Sequence, residues 1–161
     1  MGLDLADKSI LDVSGEPGFF VKDASSVCKN VDVTSFADTV ALAIREHLNI
    51  AAERYDFNSD NLEDIYKGKK FDFIFVRYAI GFCEDLVSFA QQCRALLTDT
   101  GVVYISFSPA SRAICARWMY DDYTYLYQYT EKYLRDTFAN EEFEKIAEFD
   151  EGRYPWNEEM S

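Results

Sequence analysis

The sequence predicts an α/β architecture: a doubly wound, mostly parallel sheet with helices on both faces. Three observations predict it. Short apolar runs alternate along the 161 residues with segments of helical period, and no repeat or low-complexity linker interrupts them. The composition is 48% apolar with 26 Phe, Trp and Tyr, enough to bury a core that offsets the ordering entropy of one compact domain. The run Phe71-Asp-Phe-Ile-Phe-Val76 is aromatic or β-branched nearly throughout, which marks a central strand.

The elements follow in order. Ser9-Ile-Leu-Asp-Val13 reads as a short buried strand, Gly15-Glu-Pro-Gly18 as a turn, and about Phe19 to Val27 as a helix. A second strand is expected near Cys28 to Val33. From Ser35 to Leu48, Phe36, Val40, Ile44 and Leu48 recur every four residues and predict an amphipathic helix capped by Ser35 or Thr34. A third strand is expected within Ile50 to Phe57, ahead of the Phe71 run. Between Glu84 and Leu97, the residues Leu86, Ala90, Cys93 and Leu97 mark a helix that Thr98-Asp-Thr-Gly101 ends, with the glycine left-handed. Val102 to Phe107 is the fifth strand. Thr130 to Phe138 is helical with Tyr133, Leu134, Thr137 and Phe138 inward, and Phe143 to Phe149 reads as a sixth strand; Tyr120 to Tyr129 has no clean period.

Composition also narrows the function. With 29 Asp and Glu against 16 Lys and Arg, the net charge of −13 makes a phosphate backbone or an anionic membrane a poor partner. No stretch approaches the roughly 20 apolar residues that span a bilayer, and Met1 to Lys8 lacks the basic and apolar regions of a signal peptide, so a cytoplasmic protein is expected. Cys28, Cys83, Cys93 and Cys115 form no CxxC pair and read as reduced, mostly buried thiols, with no metal site.

The chemistry gathers at the strand ends. The first strand runs into Asp12-Val-Ser-Gly-Glu-Pro-Gly18, and Asp32 closes the second strand twenty positions after Asp12. A strand, a glycine turn, a helix and an acid at the end of the next strand suit an adenosine ligand, the acid accepting hydrogen bonds from ribose hydroxyls. In this context the chain resembles the class I S-adenosylmethionine-dependent methyltransferases, from Ile10 to Phe149. Ile10 to Phe20 resembles the family's first motif and Val31-Asp-Val-Thr-Ser35 its second. Tyr55-Asp-Phe57 falls where the family touches adenine. Phe71 to Tyr78, Asp85 to Ala90 and Leu96 to Tyr104 resemble the fourth strand, its helix and the fifth strand.

The resemblance implies a Rossmann-like fold, S-adenosylmethionine as cofactor and a small-molecule acceptor. It implies cofactor contacts at Asp12, Ser14, Gly15, Gly18, Asp32, Asp56, Phe57 and Arg77. The stretch Trp118 to Ile146 is similar to the tail of members acting on small molecules, where an aromatic insertion, here about 109–129, covers the acceptor. A helix and strand at about 130–150 then complete a single domain over 1–161. Arg77 and Tyr78 lie where the family meets the acceptor, and the Asn-Pro-Pro-Tyr mark of amino-group methylation on bases or glutamine is absent.

Departures from the pattern define a rival. The three glycine positions of the first motif hold Ser14, Glu16 and Gly18, so the Glu16 side chain must swing outward or occupy ligand space. Phe82 stands where many relatives carry His. The chain starts directly at its first strand and ends soon after the sixth, as a trimmed chain or a module of a longer one would. Lacking a seventh strand, the sixth is an open edge that a partner chain, as in a homodimer, or Gly152 to Ser161 with Trp156 would cover. The alternative function is therefore a catalytically inactive methyltransferase-like domain serving interaction or regulation. A nicotinamide dinucleotide-binding protein ranks third, because G-x-G-x-x-G is missing.

Each candidate also has a plainer reading. Asp12 and Asp32 are otherwise strand-end acids, and Asp56 and Phe57 an ordinary loop. His47, late on an amphipathic helix, is a surface imidazole favoured by the helix dipole rather than a general base. Trp118, Tyr120, Tyr123, Tyr125, Tyr127 and Tyr129 form a lid, a contact surface or an aromatic core wrap. The carboxylates Glu141, Glu142, Glu144, Glu148, Asp150, Glu151, Glu158 and Glu159 are a solvated surface. No catalytic residue stands out.

Overall fold

The computed structural model describes residues 4–111 and 126–148. Five strands form one sheet: β1 Ser9–Val13, β2 Asn30–Ser35, β3 Ala51–Arg54, β4 Phe71–Arg77 and β5 Leu97–Ser106. Their order is β3-β2-β1-β4-β5 and every pairing is parallel. Parallel neighbours need long crossovers, and helices supply them: α1 Phe19–Ala24, α2 Asp38–Leu48, α3 Leu62–Ile65 and α4 Leu86–Leu96, with a 3-10 turn at Ile80–Phe82 after β4. A last helix, α5 Glu131–Asn140, packs beside α4. The chain winds outward from β1 to β3 and returns to place β4 on the other side of β1. The strand order therefore reverses between β1 and β4, where open α/β sheets leave a crevice at the carboxyl ends of the strands.

Alternation along the strands sends side chains to two cores. Leu11, Val13, Ile74 and Val76 face Phe89, Ala90 and Cys93 of α4. On the other face, Val33 and Ala52 meet Val21, Ala41 and Ile44 from α1 and α2. Phe89 is fully buried and meets the Phe57 ring edge-on at 5.0 Å.

Several boundaries differ from the sequence reading, each for a local reason. α1 ends at Ala24 rather than near Val27. β2 spans Asn30–Ser35, so residues read as a helix start continue the strand. α2 begins at Asp38 with Ala37 as its N-cap and no side-chain cap. The Thr34 hydroxyl instead accepts from the Ser14 N–H at 2.9 Å, and the Ser35 hydroxyl bonds Glu16. Gly101 does not end α4, which stops at Leu96 and passes directly into β5. Gly101 sits where the β4–β5 register shifts, and a Cβ there would come within 3.0 Å of the Phe71 carbonyl oxygen. Tyr133 is 54% exposed rather than inward, while Thr137 and Phe138 are buried. The expected sixth strand is not formed over 143–148: Phe143 packs on Phe138 at 5.2 Å and Ile146 is 74% exposed. Phe149 and the segment Gly152 to Ser161 lie outside the described residues.

Phe89→Ala is expected to lower unfolding free energy by about 3–5 kcal/mol, the usual loss for a buried aromatic, measured by urea denaturation.

Candidate functional site

Asp12, near the end of β1, is fully buried, and its neighbours are organised around its charge. Arg77, the last residue of β4, donates to both carboxylate oxygens, from Nη2 to Oδ2 at 2.6 Å and from Nε to Oδ1 at 3.3 Å. The guanidinium lies over the Phe20 ring of α1, 4.4 Å from its centroid. Gly15 sits directly above the carboxylate, for a Cβ there would meet Asp12 Oδ2 at 2.1 Å. One acid thus fixes β1, β4, α1 and the following loop. Burial, the larger influence, pushes the Asp12 carboxyl above its ordinary value, and the hydrogen bond and charge of Arg77 pull it back.

The loop Ser14 to Gly18 is pinned to the end of β2. Ser14 N–H donates to Thr34 Oγ1 at 2.9 Å and Gly15 N–H to the Thr34 carbonyl at 3.1 Å. Gly18 closes the loop at φ 95° and caps α1. Ser14 takes a left-handed φ of 56°, and Tyr78, just past the neighbouring β4, takes 54°. Such non-glycine conformations cost roughly 1 kcal/mol or more each and cluster at ligand sites. Ser14 Oγ is shut from solvent without a hydrogen-bond partner among the described residues. The exposed Glu16 side chain crosses to the tip of β2, where Oε1 accepts from the Ser35 hydroxyl and, at 2.8 Å, from the Phe36 N–H.

Asp32 is not at that tip. The register pairs Asp12 with Val33, so Asp32 faces the opposite side of the sheet from Asp12. Its carboxylate is bound by Lys69 Nζ at 2.6 Å, from the loop that enters β4 at the other end of the sheet. It is 5% exposed and lies away from the strand ends. Asp56 is also occupied locally: its Oδ1 accepts from the Asn58 N–H at 2.9 Å, and its own N–H donates to Asp60 Oδ2 at 2.8 Å. Phe57 is brought to the carboxyl ends, where its ring contacts Phe36 at 5.9 Å, and Phe36 meets Phe82 at 5.1 Å. Asn58 ties this group to the loop after β4, donating to the Phe82 carbonyl and accepting from the Glu84 N–H.

Of the eight residues inferred from the sequence, Asp12, Ser14, Gly15, Gly18 and Arg77 form one cluster, with Phe57 at its aromatic margin. The sequence reading missed Ser35, Phe36 and Thr34 as parts of the site. A strand two residues longer at its carboxyl end would have exposed them. Tyr127, Tyr129 and Tyr133 stack at 6.1 and 5.7 Å beside the loop after β4. Tyr127 N–H donates to the Gly81 carbonyl at 2.9 Å and the Tyr129 hydroxyl to that of Cys83. Trp118, Tyr120, Tyr123, Tyr125 and Cys115 lie outside the described residues, as do Asp150, Glu151, Glu158 and Glu159. Cys83 is buried, and desolvation pushes its thiol up to about 12; Cys28 is only half-buried. His47 is exposed in the last turn of α2. No described helix is long and apolar enough to cross a membrane, and no described group of His, Cys, Asp or Glu is arranged to hold a metal.

No protein-family model and no curated protein matches the sequence. Solved structures do match its shape. A Haloferax volcanii protein solved in complex with the Trm112 methyltransferase activator superposes with a TM-score of 0.73 at 10% identity, covering 84% of this chain and 61% of its own. The chain has the class I methyltransferase fold. A TehB-like S-adenosylmethionine-dependent methyltransferase from Corynebacterium glutamicum gives 0.61 at 13% identity, over 84% of this chain and 65% of that one. An S-adenosylmethionine-dependent methyltransferase from Mesorhizobium loti gives 0.59 at 17%, over 67% and 50%. This chain thus spans one half to two thirds of the length of these methyltransferase-fold structures.

Within this methyltransferase fold the Asp12–Arg77 pair sets a pH dependence. A carboxyl with a raised folded-state pKa keeps its proton longer in the folded chain, so its contribution to stability is present at low pH and is lost as pH rises through the folded value. Arg77→Ala removes the opposing pull. The variant is expected to carry that loss to higher pH and to be about 2–3 kcal/mol less stable at neutral pH, while Asp12→Asn removes the dependence. Urea denaturation from about pH 4 to pH 8 reads both.

Proposed function

We propose that this domain binds S-adenosylmethionine at the carboxyl ends of β1, β2 and β4 and supports methyl transfer to a small-molecule acceptor. The observation that carries the reading is the built cluster at the reversal of strand order: a pinned loop, two left-handed non-glycine residues, an orphan hydroxyl and a guanidinium, with Phe36, Phe57 and Phe82 packed together at the strand ends. The residues fit the ligand chemically. Ser14 Oγ is a buried polar atom lacking a partner among the described residues, Glu16 offers acceptor oxygens to hydroxyls, and Phe36 and Phe82 keep partly exposed rings suited to a flat base.

The bound cofactor supplies an electrophilic methyl group. The protein's part is to orient the acceptor and exclude water. Tyr78, 45% exposed just past β4, and the tyrosine stack beside the same loop provide an aromatic wall for an acceptor. A net charge of −13 favours a small molecule over nucleic acid. No described residue of the cluster is placed as a general base, so an acceptor already acidic suits this site best.

One observation favours a second reading, a methyltransferase-fold domain that does not catalyse and serves as an interaction module. The Phe36, Phe57 and Phe82 rings and the Asn58 bridge draw the strand ends together. Surface hollows of about 290 and 340 Å³ lie elsewhere, one lined by Lys67, Lys69 and Leu96 and one by Arg94 and Glu141.

Isothermal calorimetry with S-adenosylmethionine and S-adenosylhomocysteine separates the readings. Saturable binding is expected, with a stabilisation of about 2.7 kcal/mol at a ligand concentration one hundred times the Kd, read as a rise in Tm. A folded sample that gives neither heat nor a Tm rise leaves the interaction module as the reading.

A further inference from the structure

We infer that the ribose of an adenosyl ligand is held here by Glu16, a carboxylate delivered from the loop after β1 in place of an acid at the end of β2. The inference rests on the cofactor reading above and assigns a residue within it. In doubly wound folds an acid near the end of the second strand accepts hydrogen bonds from ribose hydroxyls. This chain ends β2 on Ser35, a hydroxyl, followed by Phe36. Asp32, three residues earlier, faces the other side of the sheet and is closed off by Lys69, with only 7% of its side chain exposed. It has no path to a ligand at the strand ends.

Glu16 fills that gap from the loop after the neighbouring β1. The Ser35 hydroxyl and the Phe36 N–H hold its Oε1 at the tip of β2. Oε2 makes no hydrogen bond and no ion pair among the described residues, and the side chain is exposed. A carboxylate has about four lone-pair positions, so two donors leave capacity for a vicinal diol. The position also tolerates a side chain. Glu16 is not among the residues with left-handed φ, whereas the neighbouring Ser14 is, and the close approach that forbids a Cβ occurs at Gly15. The loop therefore keeps glycine where atoms collide and presents an acid where it does not.

Three variants decide the matter by calorimetry: Glu16→Gln, Glu16→Gly and Asp32→Asn, each titrated with S-adenosylhomocysteine and with its 2′,3′-dideoxyribose analogue. Loss of a charge-assisted pair of hydrogen bonds is expected to weaken S-adenosylhomocysteine binding about tenfold or more in both Glu16 variants. The dideoxy analogue should bind the wild-type protein and Glu16→Gln alike, and Asp32→Asn should keep wild-type affinity. Tighter binding by Glu16→Gly identifies the side chain as an obstruction and overturns the inference, while the cofactor reading stands. Wild-type binding that is indifferent to both Glu16 variants overturns the inference alone. Absence of binding by both the wild type and Glu16→Gly overturns the inference and the cofactor reading together.

Discussion

The charge on Asp12 is the constraint from which the rest of the site follows. A carboxylate with no exposed surface must be paired, and its cation is the guanidinium at the end of the adjacent strand. Pairing draws Arg77 across the reversal point of the sheet, where Phe20 covers it and so docks α1. The same carboxylate removes the space for a side chain at residue 15. The first helix and the ends of two strands therefore follow from the charge of this one side chain, and the tight loop from its bulk. Substituting a neutral apolar group would release Arg77, while Gly15 would still be held close by the γ-carbon at residue 12 and by the Val33 methyl, and the Thr34 contacts would still pin the loop.

That interdependence explains why strand pattern was legible in the sequence and strand ends were not. The Phe71 run and the short, mostly apolar run Ser9 to Val13 reflect burial on two faces, a signal carried by each residue's own chemistry. The end of β2 reflects something else. Asn30–Ser35 extends past Val33 where the Thr34 and Ser35 hydroxyls bond the loop after β1, between residues about twenty apart in sequence, with Ser35 also bonding Ala37 just before α2. Local propensity sees two good capping residues and places a helix start there. The one-residue parity of a strand then did further damage. Taking Asp32 as the strand end assigns it to the crevice, whereas its neighbour Val33 is the partner of Asp12 and alternation turns Asp32 to Lys69.

Glycine was legible as punctuation but not in its function. Gly101 looks like a helix stop because a polar stretch follows an apolar period, yet the helix passes straight into β5. The glycine is needed against the Phe71 carbonyl, which no linear pattern reveals. Likewise the stretch from Phe143 to Glu148 reads as a strand, but an edge strand forms only if a neighbour offers backbone partners. Phe143 finds its better contact on Phe138 of α5 and the residues after it stay in solvent.

The glycine pattern of the loop after β1 shows why motif degeneracy is a weak argument about loss of a site. A glycine in such a loop answers one of three separate demands: a left-handed backbone, a close approach of atoms, or room for a ligand. In this chain the first demand falls on Ser14 and Gly18, and the second on Gly15. Ser14 meets its demand at an energetic cost, which a structure retains only where neighbouring contacts over-determine the conformation; here those are the two bonds to Thr34. Residue 16 is left with the third demand alone, which concerns the direction of a side chain and not the backbone. A long, charged side chain can satisfy it by leaving the loop, and Glu16 leaves toward two donors at the tip of β2, the Ser35 hydroxyl and the Phe36 N–H. Counting glycines merges these demands, whereas the backbone angles and the collision distances separate them.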